Sequence, residues 1–398
     1  MRATSGRASL PLILLASLTA SACGLVTTAT PAASSSDSAS ASASARATTT
    51  AVPTAAAECV SPSSAASSST SSSSSAASGP GGPGSGTAVV GTGGCSQSGG
   101  SAAKSAETIS AAAADESGVL VNEDGKLTLS GVAVATTGSS SSSDDSSFYG
   151  LDAGVIALNG STVTETGGSV TTSGAGANAI FSYGSGSSVA ATGVVVSASG
   201  QYAHGVMASG AGSLTADNLT VTTAGANGAA VATDRGGGTI TVLGGTYRTS
   251  GTSSPGIYST GTITASGATF DATGAEAAVI EGSNSVTVTD SHLTGSVNRG
   301  VMIYQSMSGD AQGAAGVFSE TGGSLAALSG PLFYVTNTTA TIDLSCASLD
   351  GSSGVLLDAA AGQWGSSDSN GARQPSTPSI KPSPARLTST PSAPPRLT

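Results

Sequence analysis

Charge is what this sequence has least of. Asp, Glu, Lys and Arg make up 9% of its 398 residues, against about 25% in an average soluble domain. Only 12 residues are Lys or Arg, and the formal net charge is −11. Nucleic acids are held by cations that neutralise phosphates, so this class of partner is excluded. Aromatic residues are almost as scarce, at 3%, so a core must be filled by small aliphatic side chains. The chain has two histidines and four cysteines, and none has the spacing of a zinc site. No metal and no cofactor is expected. No apolar run reaches the roughly 20 residues of a membrane-spanning helix.

Gly, Ser, Thr and Ala fill the gap, in several textures. Residues 1–22 read as a secretory signal: Arg2 and Arg7, an apolar run from Leu10 to Ala20, then small residues. Cys23 follows Ala20-Ser21-Ala22 and matches a bacterial lipobox, except that Ala20 stands where Leu is usual. The alternative is an ordinary signal cut after Ala22. Residues 23–115 are rich in Ser, Ala, Thr, Gly and Pro, too polar and small to offset their ordering entropy. They are expected to be a disordered tether, anchored through lipid at Cys23. Cys59 and Cys95 either pair across this tether or stay as free thiols. Residues 373–398 are Pro-rich and basic, and are also expected to be disordered.

Residues 116–372 carry a repeat. Thr162-Val163-Thr164, Ser213-Leu214-Thr215, Thr239-Ile240-Thr241 and Thr262-Ile263-Thr264 belong to one series. Gly205-Val206-Met207, Gly256-Ile257-Tyr258 and Gly300-Val301-Met302 belong to a second. The period is about 23 to 26 residues, and such periods mark solenoids. The local apolar period is two, β-branched residues dominate and Gly recurs, which argues for strands over helices. The fold predicted is all-β: a right-handed parallel β-helix of about nine coils, three short strands per coil. Ser139–Ser147 and Gln305–Gly316 interrupt the repeat as insertions. Alternation in Thr341–Cys346 places Cys346 with Ile342 and Leu344 inside. His204 and His292 stand alone and read as exposed corner residues.

The stretch 117–364 resembles right-handed parallel β-helix proteins of the pectate-lyase-like superfamily, and within it adhesin-like bacterial surface proteins with Gly/Ser/Thr-rich coils. Segments such as Ala232–Gly238, Glu281–Ser285 and Tyr304–Asp310 carry the likeness. It implies an exported cell-surface lipoprotein that presents a polar face to a glycan, surface or protein, touching membrane only through its lipid. One fold hosts many activities, so a polysaccharide lyase or glycoside hydrolase is the alternative.

Such enzymes need carboxylates gathered on one face. The candidates follow the second strand series: Asp234 with Arg235, Glu281, Arg299, and Tyr304 with Gln305, flanked by Tyr183 and Tyr334. The bland reading makes Asp234 and Arg235 solvated turn residues and Glu281 a surface charge. A one-residue register slip would send any of them to the opposite face. The Thr-X-Thr column raises ice binding as a distant third reading, since Thr is also the ordinary outward filling of such a ladder.

Overall fold

A computed structural model describes residues 89–306, 311 and 315–360, and the backbone of 377–382 and 386–387. It is a right-handed parallel β-helix made of three parallel sheets of eleven strands each. Sheet 1 runs from Thr92–Ser98 to Leu357–Ala359, sheet 2 from Ser101–Ser105 to Thr377–Pro382, and sheet 3 from Thr108–Ala111 to Arg386–Leu387. Each coil visits the sheets in that order, and each strand pairs with the corresponding strands of the coils before and after it.

Sheet 2 shows why these sequences make strands. In Thr162–Thr166 the burial alternates, with Val163 inward and Thr162 and Thr164 outward. Pairing carries the pattern from coil to coil, so Val163, Val189, Leu214, Ile240, Ile263, Val286, Phe318 and Ile342 form one inward column. All are at most 2% exposed, and each fully buried side chain of this size contributes about 1.5–3 kcal/mol. Four of the few aromatics pair inside the core. Tyr247 lies on Phe270 at 4.8 Å between ring centroids, and Phe318 meets Phe333 edge-on at 5.6 Å.

In the ten coils where it is described, the corner between sheets 2 and 3 is two residues long, and its first residue has left-handed backbone. Gly167 (φ 61°), Gly193 (φ 64°) and Gly267 (φ 65°) take the position without steric cost. Ala106, Asn218, Asp290 and Cys346 occupy it elsewhere. This corrects the expectation for Cys346. Strand alternation ends at Ser345, and Cys346 sits exposed on the turn with φ 55°.

Four other expectations change. The solenoid starts at Thr92, inside the stretch 23–115 read as tether, because its first coil turns Gly93, Cys95 and Gln97 inward in place of aliphatics. Two strands, Thr377–Pro382 and Arg386–Leu387, lie within the 373–398 tail; an outermost strand tolerates Pro because one of its edges lacks a ladder partner. The insertion at Ser139–Ser147 holds a helix, α1 (Ser143–Tyr149). Ser142 caps it by accepting from the Asp145 N–H at 3.1 Å, Asp144 and Asp145 suit its positive end, and left-handed Gly150 stops it. Finally, His204 is buried. The turns around it close over the ring, and its Nδ1 accepts from the Ala229 N–H at 2.9 Å.

Candidate functional site

Sheet 1 differs from sheet 2 in burying both faces. Val155–Leu158, Val206–Ser209, Ala278–Glu281 and Val301–Tyr304 are buried at every residue. One face fills the solenoid. On the other, Ile156, Phe181, Met207 and Ala232 form a second apolar cluster, and Val279, Met302 and Tyr304 a third. α1 is tied to the first part of this outer face. Ser209 Oγ donates to the Phe148 carbonyl at 2.6 Å, Asn178 Nδ2 donates to the Ser146 carbonyl at 3.1 Å, and Tyr149 packs edge-on against Tyr183.

Glu281 stands on that outer face, yet it is 1% exposed. Register places it beside Tyr304 of the next coil. The Tyr304 hydroxyl donates to Glu281 Oε2 at 2.8 Å, and the Tyr258 hydroxyl donates to the same oxygen at 2.6 Å. Ser306 Oγ donates to Oε1. Burial first, and then neighbouring Tyr304, Glu281 and Asp234, push the Tyr258 phenol well above its ordinary range. Burial and then Glu281 do the same for Tyr304. Both phenols therefore stay protonated and serve as donors. Together they form a closed hydrogen-bond cluster around one carboxylate.

The other expected site residues divide among different tasks. Asp234, at a half-buried turn, is close enough to act on both phenols, and its Oδ1 accepts from the Arg235 N–H at 2.7 Å. Arg235 lays its guanidinium 3.7 Å over the Phe148 ring, clamping α1. Arg299 precedes the strand whose far end is Tyr304, and its guanidinium donates to Met302 Sδ at 3.1 Å, beside the outer-face cluster that Met302 and Tyr304 share. It pairs with Glu276 at 3.4 Å and lies 4.5 Å over the Tyr334 ring. Gln305 Nε2 donates to the carbonyls of Ser306 and Ala311, at 2.9 and 2.7 Å. The structure thus joins Glu281 to Tyr304 and sets Asp234 nearby, with Arg235 over the Phe148 ring and Arg299 against Met302 and Tyr334. Tyr258 and Ser306 were missed by the sequence reading. Tyr258 stands in the same Gly-Ile-Tyr series that marked the strands, which was the available signal.

The remaining expectations fall elsewhere. Cys23, Cys59 and residues 1–22 lie outside the described residues. Cys95 and Cys346 are both disulfide-bonded. His292 is exposed and 2.9 Å from Ser324 Oγ. Among the described residues no three His, Cys, Asp or Glu side chains cluster as a metal site, and no helix is long and apolar enough to cross a membrane. A cavity of about 340 Å³ opens at the first coil beside Cys95, Lys104 and Glu107, and none of the expected catalytic or ligand-binding residues lines it.

On the outer face of sheet 2, no outward side chain of the six central coils is fully buried. Over six coils, from Thr162–Thr166 to Ser285–Thr289, its outward positions are Ser or Thr except Ala190, Asp217 and Leu243. Rungs touch along the axis, with Ser188 Oγ donating to Thr162 Oγ1 at 3.3 Å and Thr264 Oγ1 to Thr241 Oγ1 at 3.5 Å. Sheet geometry spaces these hydroxyls about 4.8 Å apart between coils and about 6.6 Å along each strand.

In comparisons with known proteins, no family model matches this chain, and no curated protein or solved structure matches it either.

Proposed function

We propose that this chain is an exported, non-catalytic binding protein of the adhesin-like kind, whose β-helix presents the hydroxyl face of sheet 2 to a neutral polysaccharide. The observation that carries this reading is the six-coil array of outward Ser and Thr with Asp217 as its single charge. Uncharged donor–acceptor hydroxyls on a rigid backbone suit a partner that is itself a repeat of hydroxyls. Each contact is weak, and repetition along both polymers supplies avidity. Catalysis draws less support. Glu281, the best-placed expected carboxylate, is shut in by Tyr258, Tyr304 and Ser306, whereas a glycosidase needs two carboxylates open to the sugar.

The test is binding of the purified chain to a glycan array and to insoluble polysaccharides. The triple variant Thr164→Lys, Thr241→Lys, Thr287→Lys is expected to lose binding at least tenfold with an unchanged circular dichroism spectrum. Equal binding by that variant sinks the reading. Release of sugar product that disappears in Asp234→Ala or Glu281→Ala moves it to the enzyme class, and shaped ice crystals in cooled solution move it to ice.

Export is supported by the signal-like residues 1–22 and by the disulfide-bonded Cys95 and Cys346. Nine coil spacings separate these two, roughly 43 Å, so they do not bond to one another. A lipid thioether and a disulfide at Cys23 exclude each other. Mass spectrometry of the unreduced mature chain decides this. A diacylglyceryl Cys23 establishes the lipid anchor, and a Cys23 disulfide rules it out.

A further inference from the structure

The interior of this solenoid is apolar for a physical reason. Strand N–H and C=O groups pair between coils along the axis, which leaves nothing inside to satisfy a polar side chain. Two glutamates break the pattern. Glu165 in Thr162–Thr166 and Glu320 in Gly316–Thr321 occupy inward positions of their strands. They are 0% and 1% exposed, and neither oxygen of either carboxyl has a hydrogen-bond partner. Both belong to one inward column of sheet 2, which elsewhere holds Lys104, Leu129, Ala191, Ala216, Val242, Ala265, Val288 and Leu344. An apolar side chain therefore fits this position, and packing does not demand a carboxyl.

Lys104 stands in the same column two coils before Glu165 and pairs with Glu107 at 3.5 Å; no charged side chain points inward from the other strands of the coils that hold Glu165 and Glu320. The inward side chains of sheets 1 and 3 in the same coils are Val155, Ala157, Val170 and Thr172 around Glu165, and Val301, Ile303, Leu325 and Ala327 around Glu320. Tyr247 is an inward ionisable group of sheet 3, three coils from each. Burial alone pushes both carboxyls up to about 8.

We propose that Glu165 and Glu320 are paired pH locks: as neutral acids they complete the core, and as carboxylates they force open the coils that hold them. They lie six coils apart, about 29 Å, and so act independently. The sign follows from linkage. Between the ordinary glutamate value of 4.5 and about 8 the folded chain binds more protons than the unfolded chain, so stability falls as pH rises and levels off above that window. Asp152, held up to about 6 by burial and then by Asp115, adds to the fall only at lower pH. The window from pH 6.5 to 8.5 isolates the glutamates.

The test is thermal unfolding of the full chain across that window, for wild type, Glu165→Leu, Glu320→Leu and the double variant. Wild-type Tm is expected to fall on the order of 5 °C, each single variant to lose part of the fall, and the double variant to be flat. Glu165→Gln and Glu320→Gln keep the shape without the ionisation and serve if a leucine variant fails to fold. Limited proteolysis at pH 9.5 is expected to cut wild type near Gly167 and Gly322, and to spare the double variant. Parallel Tm curves for wild type and double variant, or a wild-type Tm that holds constant across the window, overturn the proposal.

Discussion

Sheets 1 and 2 are built from the same coils, yet they treat their outer faces in opposite ways. Both are parallel, eleven-stranded and filled inside by Val, Ile and Leu. Sheet 1 carries Phe181, Met207, Tyr258, Glu281, Met302 and Tyr304 outward, and buries most of them under α1 and neighbouring turns. Sheet 2 carries Thr and Ser outward and fully buries none of them. The scarcity of aromatics and charge in the whole chain is therefore uneven. Several of the few aromatics and charges stand on the outer face of sheet 1, where they make structure, while six coils of the outer face of sheet 2 carry Asp217 as their one charge and no aromatic. If this division is right, substitutions on the outer face of sheet 1 act on stability, and those on sheet 2 act on binding.

The largest effect should come from Phe181→Ala. The ring is 0% exposed against Ile156, Met207 and α1, and removing a buried Phe costs about 3–5 kcal/mol. Urea unfolding followed by circular dichroism measures it. A loss below about 1 kcal/mol would mean that this outer face is not a second core.

His204 gives the next effect, and its sign is opposite to that of the inward glutamates. Burial lowers the imidazole to about 4, partly offset by its bond with Ala229. Between pH 4 and the ordinary value of 6.5 the unfolded chain binds more protons, so stability is present above 6.5 and is lost as pH falls toward 4. The loss is about 3 kcal/mol at 1.36 kcal/mol per unit. His204→Asn, which keeps an acceptor near the Ala229 N–H, should remove this contribution, read as the difference between wild-type and variant melts from pH 7 to 4, in which the opposite slopes of Glu165, Glu320 and Asp152 cancel. An unchanged slope would show that the acid sensitivity lies elsewhere.

Glu281→Leu should cost about 2 kcal/mol, because it strands the hydroxyls of Tyr258, Tyr304 and Ser306 without their acceptor. A double-mutant cycle with Tyr304→Phe should give a coupling above about 0.5 kcal/mol. Additive losses would mean that the cluster is a coincidence of packing.

How much of this could be read in the sequence follows from the same contrast. Sheet 2 was legible because Thr and Ser outside alternate with Val and Ile inside, as in Thr239-Ile240-Thr241. Sheet 1 was legible as strands but not as faces. Val301-Met302-Ile303-Tyr304 is apolar throughout, and a continuous run does not say which side is in. Glu281 thus read as a surface charge, and its meeting with Tyr258 was hidden, since the two are one coil apart and offset along the strand. The first coil escaped notice because its inward residues are Gly93, Cys95 and Gln97, which carry no aliphatic signal. The cysteine at 346 was misplaced by extending strand alternation one residue into a left-handed corner.

The smallest effect is the most direct check on the hydroxyl face. Thr241 is half-buried among the outward hydroxyls of sheet 2, and its side chain accepts from Thr264 at 3.5 Å. That bond is long and open to water, so Thr241→Ala should change stability by less than about 0.5 kcal/mol. The same substitution should weaken binding to whichever polysaccharide the wild type retains, by a few-fold, because one rung of a repeated array is lost while the others remain. Calorimetry and a binding isotherm on the same preparation separate the two effects. A stability loss above about 1 kcal/mol with intact binding would reverse the assignment, and would make the hydroxyl ladder a structural seam like the outer face of sheet 1.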